Sequence, residues 1–181
     1  VINPGGENGM HTIIDEWHKT TQQSETFRAL GNFSATFKLG EIWKPLEGLN
    51  YKINFGPDFR HWRQGSYVDG LSSHKINADG SAGRNYARLQ NRRDFSWTLD
   101  NMITYDKTIA DKHKIGVTLL QTASAWNVEQ SAMSANGIAD KMFLWNAMGS
   151  IDISDPDNGA SMSSGLTERQ LMSYMIRLNY G

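Results

Sequence analysis

The stretch Phe95–Gln121, FSWTLDNMITYDKTIADKHKIGVTLLQ, decides the fold, because its first half alternates between apolar and polar side chains. A period of two predicts a β-strand with one apolar face. The polar segment DKTIADK predicts a short turn, and the run from about His113 to Trp126 predicts the second strand of a hairpin. The apolar set is Phe95, Trp97, Leu99, Ile103 and Tyr105, and the polar set is Ser96, Thr98, Asp100, Thr104 and Asp106.

Three further runs alternate in the same way, and each predicts a strand. They are NFSATFKLGEIW, LNYKINFGPDFRHW and RQLMSYMIRLNY. The segment KPLEG predicts a turn between the first two, with Gly48 permitting a positive φ. Because Pro57 has no backbone N–H, we expect a β-bulge around Gly56–Pro57. Asn101 and Gln121 fit this scheme poorly, since both fall on the apolar side of their strands.

Short and long connections alternate along the chain. We assign outer loops to residues 1–32, 63–93 and 127–167, hairpins to 33–62 and 94–126, and a last strand to 168–181. Short helices are expected within residues 10–30 and 128–145. Strict alternation of short turns and long loops is typical of outer-membrane β-barrels. A strand of eleven steps spans about 36 Å, and a tilt of ~40° brings its depth near the ~25 Å apolar band of such barrels.

Composition excludes several classes of protein. The net charge is −1, so nothing favours binding to nucleic acid. The chain has no cysteine, hence no disulfide framework and no thiolate metal site. No run approaches ~18 consecutive apolar residues, so no transmembrane helix is predicted. The chain starts at Val1 and stops within the alternating run MIRLNYG, so we expect a segment of something longer.

Catalytic and metal-binding motifs are missing from the sequence. It has no G-x-S-x-G, no H-E-x-x-H and no P-loop, so we expect no enzyme and no cofactor. Its five histidines are scattered. The spacing from Asp157 to Glu168 imitates a calcium loop, but Met162 stands where glycine is required. A soluble all-β module that binds carbohydrate through loop aromatics remains the alternative to a membrane barrel.

Three segments resemble the barrel of SusC/RagA-type TonB-dependent transporters, in this order and spacing. They are GLNYKINFGPDFR, SWTLDNMITYDKTIADKHKIGVTLLQ and LTERQLMSYMIRLNY, and the second is the most specific. The resemblance covers about residues 33–62, 94–126 and 166–180. It implies an all-β fold, in which antiparallel up-and-down strands form part of a large transmembrane β-barrel with long outer loops.

The resemblance also implies a function in the bacterial outer membrane. Such proteins import oligosaccharides, glycans or peptides together with a SusD-like surface lipoprotein. Energy comes from TonB–ExbB–ExbD through N-terminal parts that are missing here. Loop aromatics and arginines are the expected substrate contacts, namely Tyr67, Arg84, Tyr86, Arg88, Trp126 and Trp145. The side chains expected to face the lumen or the plug are Lys52, Asp58, Arg60, Asp100 and Arg177.

Overall fold

A computed structural model describes residues 16–110, 112–138 and 141–181. These residues form one antiparallel sheet, so the all-β fold class is confirmed. The strand order is β1-β3-β4-β5-β6, and β2 also pairs with β3. The strands are β1 (Thr20–Leu30), β2 (Phe33–Lys38), β3 (Leu49–Val68), β4 (Tyr86–Ile109), β5 (His113–Asn136) and β6 (Ser161–Tyr180).

The connection from β2 to β3 starts earlier than predicted, because β2 ends at Lys38 whereas the predicted strand continued to Trp43. One helical turn, α1 (Leu39–Ile42), and the 3₁₀ turn Lys44–Leu46 join β2 to β3. Gly48 has φ +90°, and a Cβ there would overlap the carbonyl of Asp106 on β4. The glycine is therefore required both by its backbone conformation and by the approach of the next strand. The β4–β5 turn is tighter than DKTIADK suggested, because β4 continues to Ile109 and β5 starts at His113.

The strands are longer than predicted, and the loops are correspondingly shorter. β3 continues to Val68 and β4 starts at Tyr86, so the expected loop 63–93 shrinks to residues 69–85. In the same way, residues 127–136 extend β5, and β6 starts at Ser161 rather than at residue 168. These additions lack clean alternation because polar or small side chains occur on both faces, with larger apolar ones such as Tyr67 and Leu89 only at intervals. Backbone pairing with neighbouring strands overrides that weak local signal.

Two predicted helices are wrong where the structure describes them. Thr20–Leu30 forms β1 beside β3, not part of an outer loop with a helix, and Val128 to Asn136 belongs to β5. The helical segment of that connection comes later, as 3₁₀ turns over Leu144–Ser150. Residues 1–15 of the predicted outer loop, with Ile13, Ile14 and His11, lie outside the described residues.

The expected bulge at Gly56–Pro57 is also misplaced. β3 runs through both residues, and the interruption lies in the facing edge, at Gly31–Asn32 between β1 and β2. Gly31 N–H donates to the carbonyl of Pro57 at 3.0 Å, so pairing continues across this gap. Pro57 lacks a ladder donor, and the edge strand accommodates that loss instead of the central strand.

The chain divides into two compact units. The turn-end unit comprises residues 28–60, 94–128 and 166–181. The loop-end unit comprises the described residues of 1–27, 61–93 and 129–165. The core lies in the loop-end unit, where Tyr67, Ala87, Ile138 and Trp145 are buried. Five half-buried side chains pack against them: Leu89, Leu144, Ala147, Met148 and Ile151.

Gly65 makes this core possible. A Cβ at Gly65 would overlap the ring of Trp145, so the indole rests directly on the backbone of β3. Arg63 Nη2 donates to Asn146 Oδ1 at 3.2 Å and holds the same 3₁₀ segment. The long loop after β5 is therefore packed against the sheet.

The Gly65→Ala variant should expel Trp145 and release the loop. Overpacking of this kind costs about 1–3 kcal/mol, and limited proteolysis of the intact protein should show faster cleavage between residues 137 and 160. Gly149→Ala is the control, since a Cβ there meets nothing within 4 Å. Equal cleavage rates in the two variants would contradict the packing described.

Candidate functional site

The polar face of the turn-end unit carries a connected set of charged and polar side chains. Asp100 accepts hydrogen bonds from Thr122 Oγ1 at 2.7 Å and from Asn54 Nδ2 at 3.4 Å. Arg60 Nε and Nη2 both donate to one oxygen of Asp94, at 3.0 and 2.9 Å. These residues have even numbers on β3, β4 and β5, so they share one face of the sheet.

Two further contacts extend this polar face. Arg28 forms a bidentate ion pair with Asp58, at 2.9 and 2.6 Å. Arg169 on β6 lies over the ring of Trp126 at 5.5 Å from its centroid. Four of the side chains predicted to face the lumen therefore share this face by strand parity: Lys52, Asp58, Arg60 and Asp100. The fifth, Arg177, is exposed on β6 with the parity of Arg169 and donates to Asn179 at 3.3 Å.

The opposite face of the turn-end unit is an apolar band. It comprises odd-numbered residues on β3, β4 and β5, with the even-numbered ones on β6. Many of these side chains are uncovered among the described residues, for example Phe55, Phe95 and Tyr174, the last 72% exposed. The band runs along β3 from Leu49 to Phe59, along β4 from Phe95 to Tyr105, along β5 from Ile115 to Ala125, and along β6 from Met172 to Tyr180.

The apolar band is slanted relative to the rows of hydrogen bonds. Paired backbones at Gly48/Asp106, Asn85/Gly137 and Lys114/Gly181 define which residues lie level with one another. On that register Phe59 is level with Phe95, and Phe95 with Asn127. The band on β5 nevertheless ends at Ala125, which is two residues nearer to the β4–β5 turn than Asn127.

The same step recurs on the last strand. Ala125 is level with Gln170. The band on β6 begins at Met172, two residues from Gln170 in the same direction, towards the turn end. The upper boundary is polar throughout: His61, Arg93, Asn127 and Gln170. The boundary of the band therefore shifts by two steps of two residues over three strand pairs, which is about 1.3 residues per strand. Strands ~4.8 Å apart and tilted ~40° from an axis require a drop of about 1.2 residues.

Asn101 and Gln121, which fitted the alternation poorly, lie within this band and form a lateral row. Tyr51 Oη donates to Asn101 Oδ1 at 2.7 Å, and Asn101 Nδ2 reaches Gln121 Oε1 at 3.5 Å. Gln121 Nε2 contacts the Met172 sulfur at 3.7 Å. Strand parity is therefore kept, and the polar groups find partners across the strands rather than along them.

Two of the expected substrate contacts are core residues. Tyr67 is 4% exposed and Trp145 is 7% exposed, so neither side chain is open to a ligand. The Tyr67 hydroxyl has no hydrogen-bond partner among the described residues. Burial, followed by the charge of Asp69, raises the pKa of Tyr67. Their aromatic rings stabilise the loop that packs on β3.

Three further residues that were expected to contact substrate interact instead with other side chains of their own unit. Arg84 donates to Asn158 at 2.6 Å and pairs with Asp155 and Asp157 at 3.3 Å, which joins the two long loops. Lys75 lies 4.6 Å from the centroid of the Tyr86 ring. Trp126 lies on β5, not in a loop, beneath Arg169. Of these three residues, only Arg84 lies in a loop.

The sixth expected contact, Arg88, lines an open cavity of about 320 Å³ in the loop-end unit, called the Trp62 cavity below. Trp62 forms one wall, oriented by a 2.9 Å hydrogen bond from its Nε1 to Ser24 Oγ. Sequence reasoning missed both Trp62, which it placed in a strand, and Arg92, which it placed in the loop 63–93 without singling it out; both lie in strands of the structure. The lining side chains used below are Trp62, Arg88, Gln90, Arg92, Gln130 and Ser163.

Two carboxylates, the buried Asp69 and the half-buried Glu16, tie the first long loop of the loop-end unit. Burial disfavours the charged form of Asp69, but hydrogen bonds from Lys141 and from Leu71 N–H outweigh it and lower its pKa. Glu16 shows the same balance. Burial is outweighed by hydrogen bonds from Ser72 Oγ and Ser73 N, both at 2.7 Å, and its pKa is also lowered.

Groups that could hold a metal are not assembled in the described part of the chain, where no three His, Asp or Glu side chains converge. No helix within that part is long and apolar enough to cross a membrane.

Comparison with known proteins identifies the fold. No protein-family model matches the sequence, and no curated protein does. Solved structures match: the RagAB peptide transporter superposes on 93% of this chain with a TM-score of 0.74 and 20% identity. The open–open state of the RagAB peptide importer gives the same values, and the closed–closed state gives 0.73 over 91% at 20% identity. The chain spans 16–17% of the length of those chains.

Leucine substitutions test the lateral row. Asn101→Leu alone should destabilise the intact protein by about 1–3 kcal/mol, because it leaves Tyr51 and Gln121 without their partner. Adding Gln121→Leu should recover much of that loss, since the second orphaned amide is removed as well. Denaturant unfolding in detergent measures both. Simple additivity of the two single-variant losses would contradict the coupling.

Acid should loosen the first long loop. Both lowered pKa values mean that Glu16 and Asp69 stabilise the folded loop above their ordinary pKa of about 4. That contribution is lost as pH falls through the lowered values. The protection of the amides of residues 69–85 against hydrogen exchange, relative to the intrinsic rate at each pH, should fall below about pH 4, and Asp69→Asn should show reduced protection already at pH 7. An unchanged rate in the variant would contradict this assignment.

Proposed function

We propose that this chain is a barrel segment of a SusC-like, TonB-dependent importer in the bacterial outer membrane. The observation that carries the proposal is the slanted apolar band. A soluble sheet buries its apolar face against a core, and its boundary has no reason to step from strand to strand. A membrane imposes a flat boundary on tilted strands, so the band must shift in register by about 1.2 residues per strand.

The edges of the sheet support the same function. β6 is 20 residues long, and its side chains are exposed almost throughout. A long, flat, partly apolar edge invites aggregation in a soluble protein, whereas a closed barrel satisfies it with a neighbouring strand. We infer that further strands of a larger sheet pair with both edges.

The polar face supports our proposal of transport rather than catalysis. In a barrel the face opposite the lipid lines the lumen or meets the plug that fills it. Arg28–Asp58 is an exposed to half-exposed ion pair on that face, and Arg60 presents an exposed guanidinium that pairs with the buried carboxylate of Asp94, which suits a wetted wall. Lys52, Asp100 and Arg177 are assigned to the same wall. The proposed cargo is an oligosaccharide, a glycan or a peptide.

The proposed partners rest on the structural similarity to RagAB and on the sequence resemblance to SusC/RagA-type transporters. RagAB is named as a peptide transporter and importer, and the sequence resembles its class. A SusD-like surface lipoprotein would close over the loop-bearing end, and TonB–ExbB–ExbD would act through a plug encoded elsewhere in the protein. The soluble carbohydrate-binding module is disfavoured, because two of its loop aromatics, Tyr67 and Trp145, are buried.

Spin labels on adjacent residues test the proposal. Leu99→Cys and Thr98→Cys introduce single reactive sites into a segment without native cysteine. In outer-membrane vesicles, the label at residue 99 should be relaxed by oxygen, which dissolves in lipid. The label at residue 98 should respond to a water-soluble nickel chelate. Equal aqueous accessibility at both positions would exclude the membrane assignment.

A further inference from the structure

We propose that the Trp62 cavity is a subsite for a carboxylate carried by the imported cargo. This deepens the proposed function and rests on it. The cavity has two guanidinium groups in its lining, Arg88 and Arg92, while none of the described residues that line it is acidic. Two guanidinium groups without a carboxylate in the lining favour the binding of an anion.

Strand register builds the cavity. With Gly48 paired to Asp106 and Asn85 to Gly137, Arg92 lies level with Trp62 on one side and with Gln130 on the other. The next strand brings Gly165 beside Gln130, where a Cβ would meet Gln130 Nε2 at 3.2 Å. Small side chains such as Ala132 and Ser163 line one part of the cavity, and the indole of Trp62 and the two arginines line another.

The donors match a carboxylate better than a neutral group. A guanidinium presents a planar fork that binds both oxygens of a carboxylate. The amide oxygen of Gln90 accepts from the Arg88 guanidinium and holds it in the cavity wall. The amide nitrogens of Gln90 and Gln130 and the hydroxyl of Ser163 can donate to an anion. Trp62 adds an apolar face for the carbon skeleton next to the charge.

The volume limits what can enter. About 320 Å³ is at the lower end of ligand sites, so the cavity admits one residue of the cargo rather than a whole oligomer. A peptide C-terminus and an acidic sugar such as a uronate share the required chemistry. Selection would therefore act on the presence of an anionic group and leave the rest of the cargo to other contacts.

Binding by the intact, detergent-solubilised protein tests the subsite. The probes are penta-alanine with a free or an amidated C-terminus, bearing a neutral dye, and tetragalacturonate against maltotetraose. The carboxylate member of at least one pair should bind about tenfold more tightly, equivalent to about 1.4 kcal/mol. A preference in the peptide pair alone or in the sugar pair alone identifies the source.

Matched variants locate the effect. Arg88→Gln and Arg92→Gln should reduce the carboxylate probe to the affinity of its neutral counterpart, and Arg88→Lys should retain part of the preference. Arg93→Gln is the control, because Arg93 is adjacent in sequence and lies on the opposite face of the sheet, where it pairs with Glu129 at 2.6 Å. Heat-dependent gel mobility confirms that each variant is folded.

The outcomes separate this inference from the proposed function. Equal affinity for charged and neutral probes, or an equal loss in Arg93→Gln, would overturn the subsite. Failure of cells that carry the intact protein together with TonB–ExbB–ExbD to take up either cargo would count against transport alone. A protein that imports without preferring carboxylates would keep its function and lose the subsite.

Discussion

The antiparallel ladder of β3 to β6 is the constraint on which the remaining features depend. Its backbone pairs at Gly48/Asp106, Asn85/Gly137 and Lys114/Gly181 set which side chains lie beside one another. Since side chains alternate along each strand, the same pairing creates a polar face and an apolar face in the turn-end unit. A shift by one residue in any pair would place charges among the apolar side chains.

Polar groups on the apolar face show how strict this constraint is. Asn101 and Gln121 do not reset the alternation but bond sideways, to Tyr51 and to each other. On the lipid-facing side that we propose for these residues, an unpaired amide would cost several kcal/mol. Lateral bonding removes much of that penalty and joins three strands through their side chains. Position in the ladder thus decides whether a polar residue is tolerated.

The loop-end unit obeys a different rule. Its core arises because the segment around Trp145 packs on β3 at Gly65, where the absence of a side chain leaves room. Charged ties from Arg84 and Lys141 to acidic residues hold the two long loops. Tyr67 and Trp145, which sequence reasoning assigned to ligand binding, are used for packing instead. The open cavity is lined instead by Trp62, Arg88 and Arg92, which lie on strands rather than in loops.

The sequence by itself determined the strand type, the two hairpins and the faces of the turn-end strands, because alternation with period two is a local property. Lys52, Asp58, Arg60 and Asp100 were assigned to one face on that basis, and the register agrees. Only the tertiary structure decided the lengths of β3 to β6, the strand at Thr20–Leu30 and the partners of Asn101 and Gln121. Those features depend on hydrogen bonds between residues far apart in the chain, which no local pattern records.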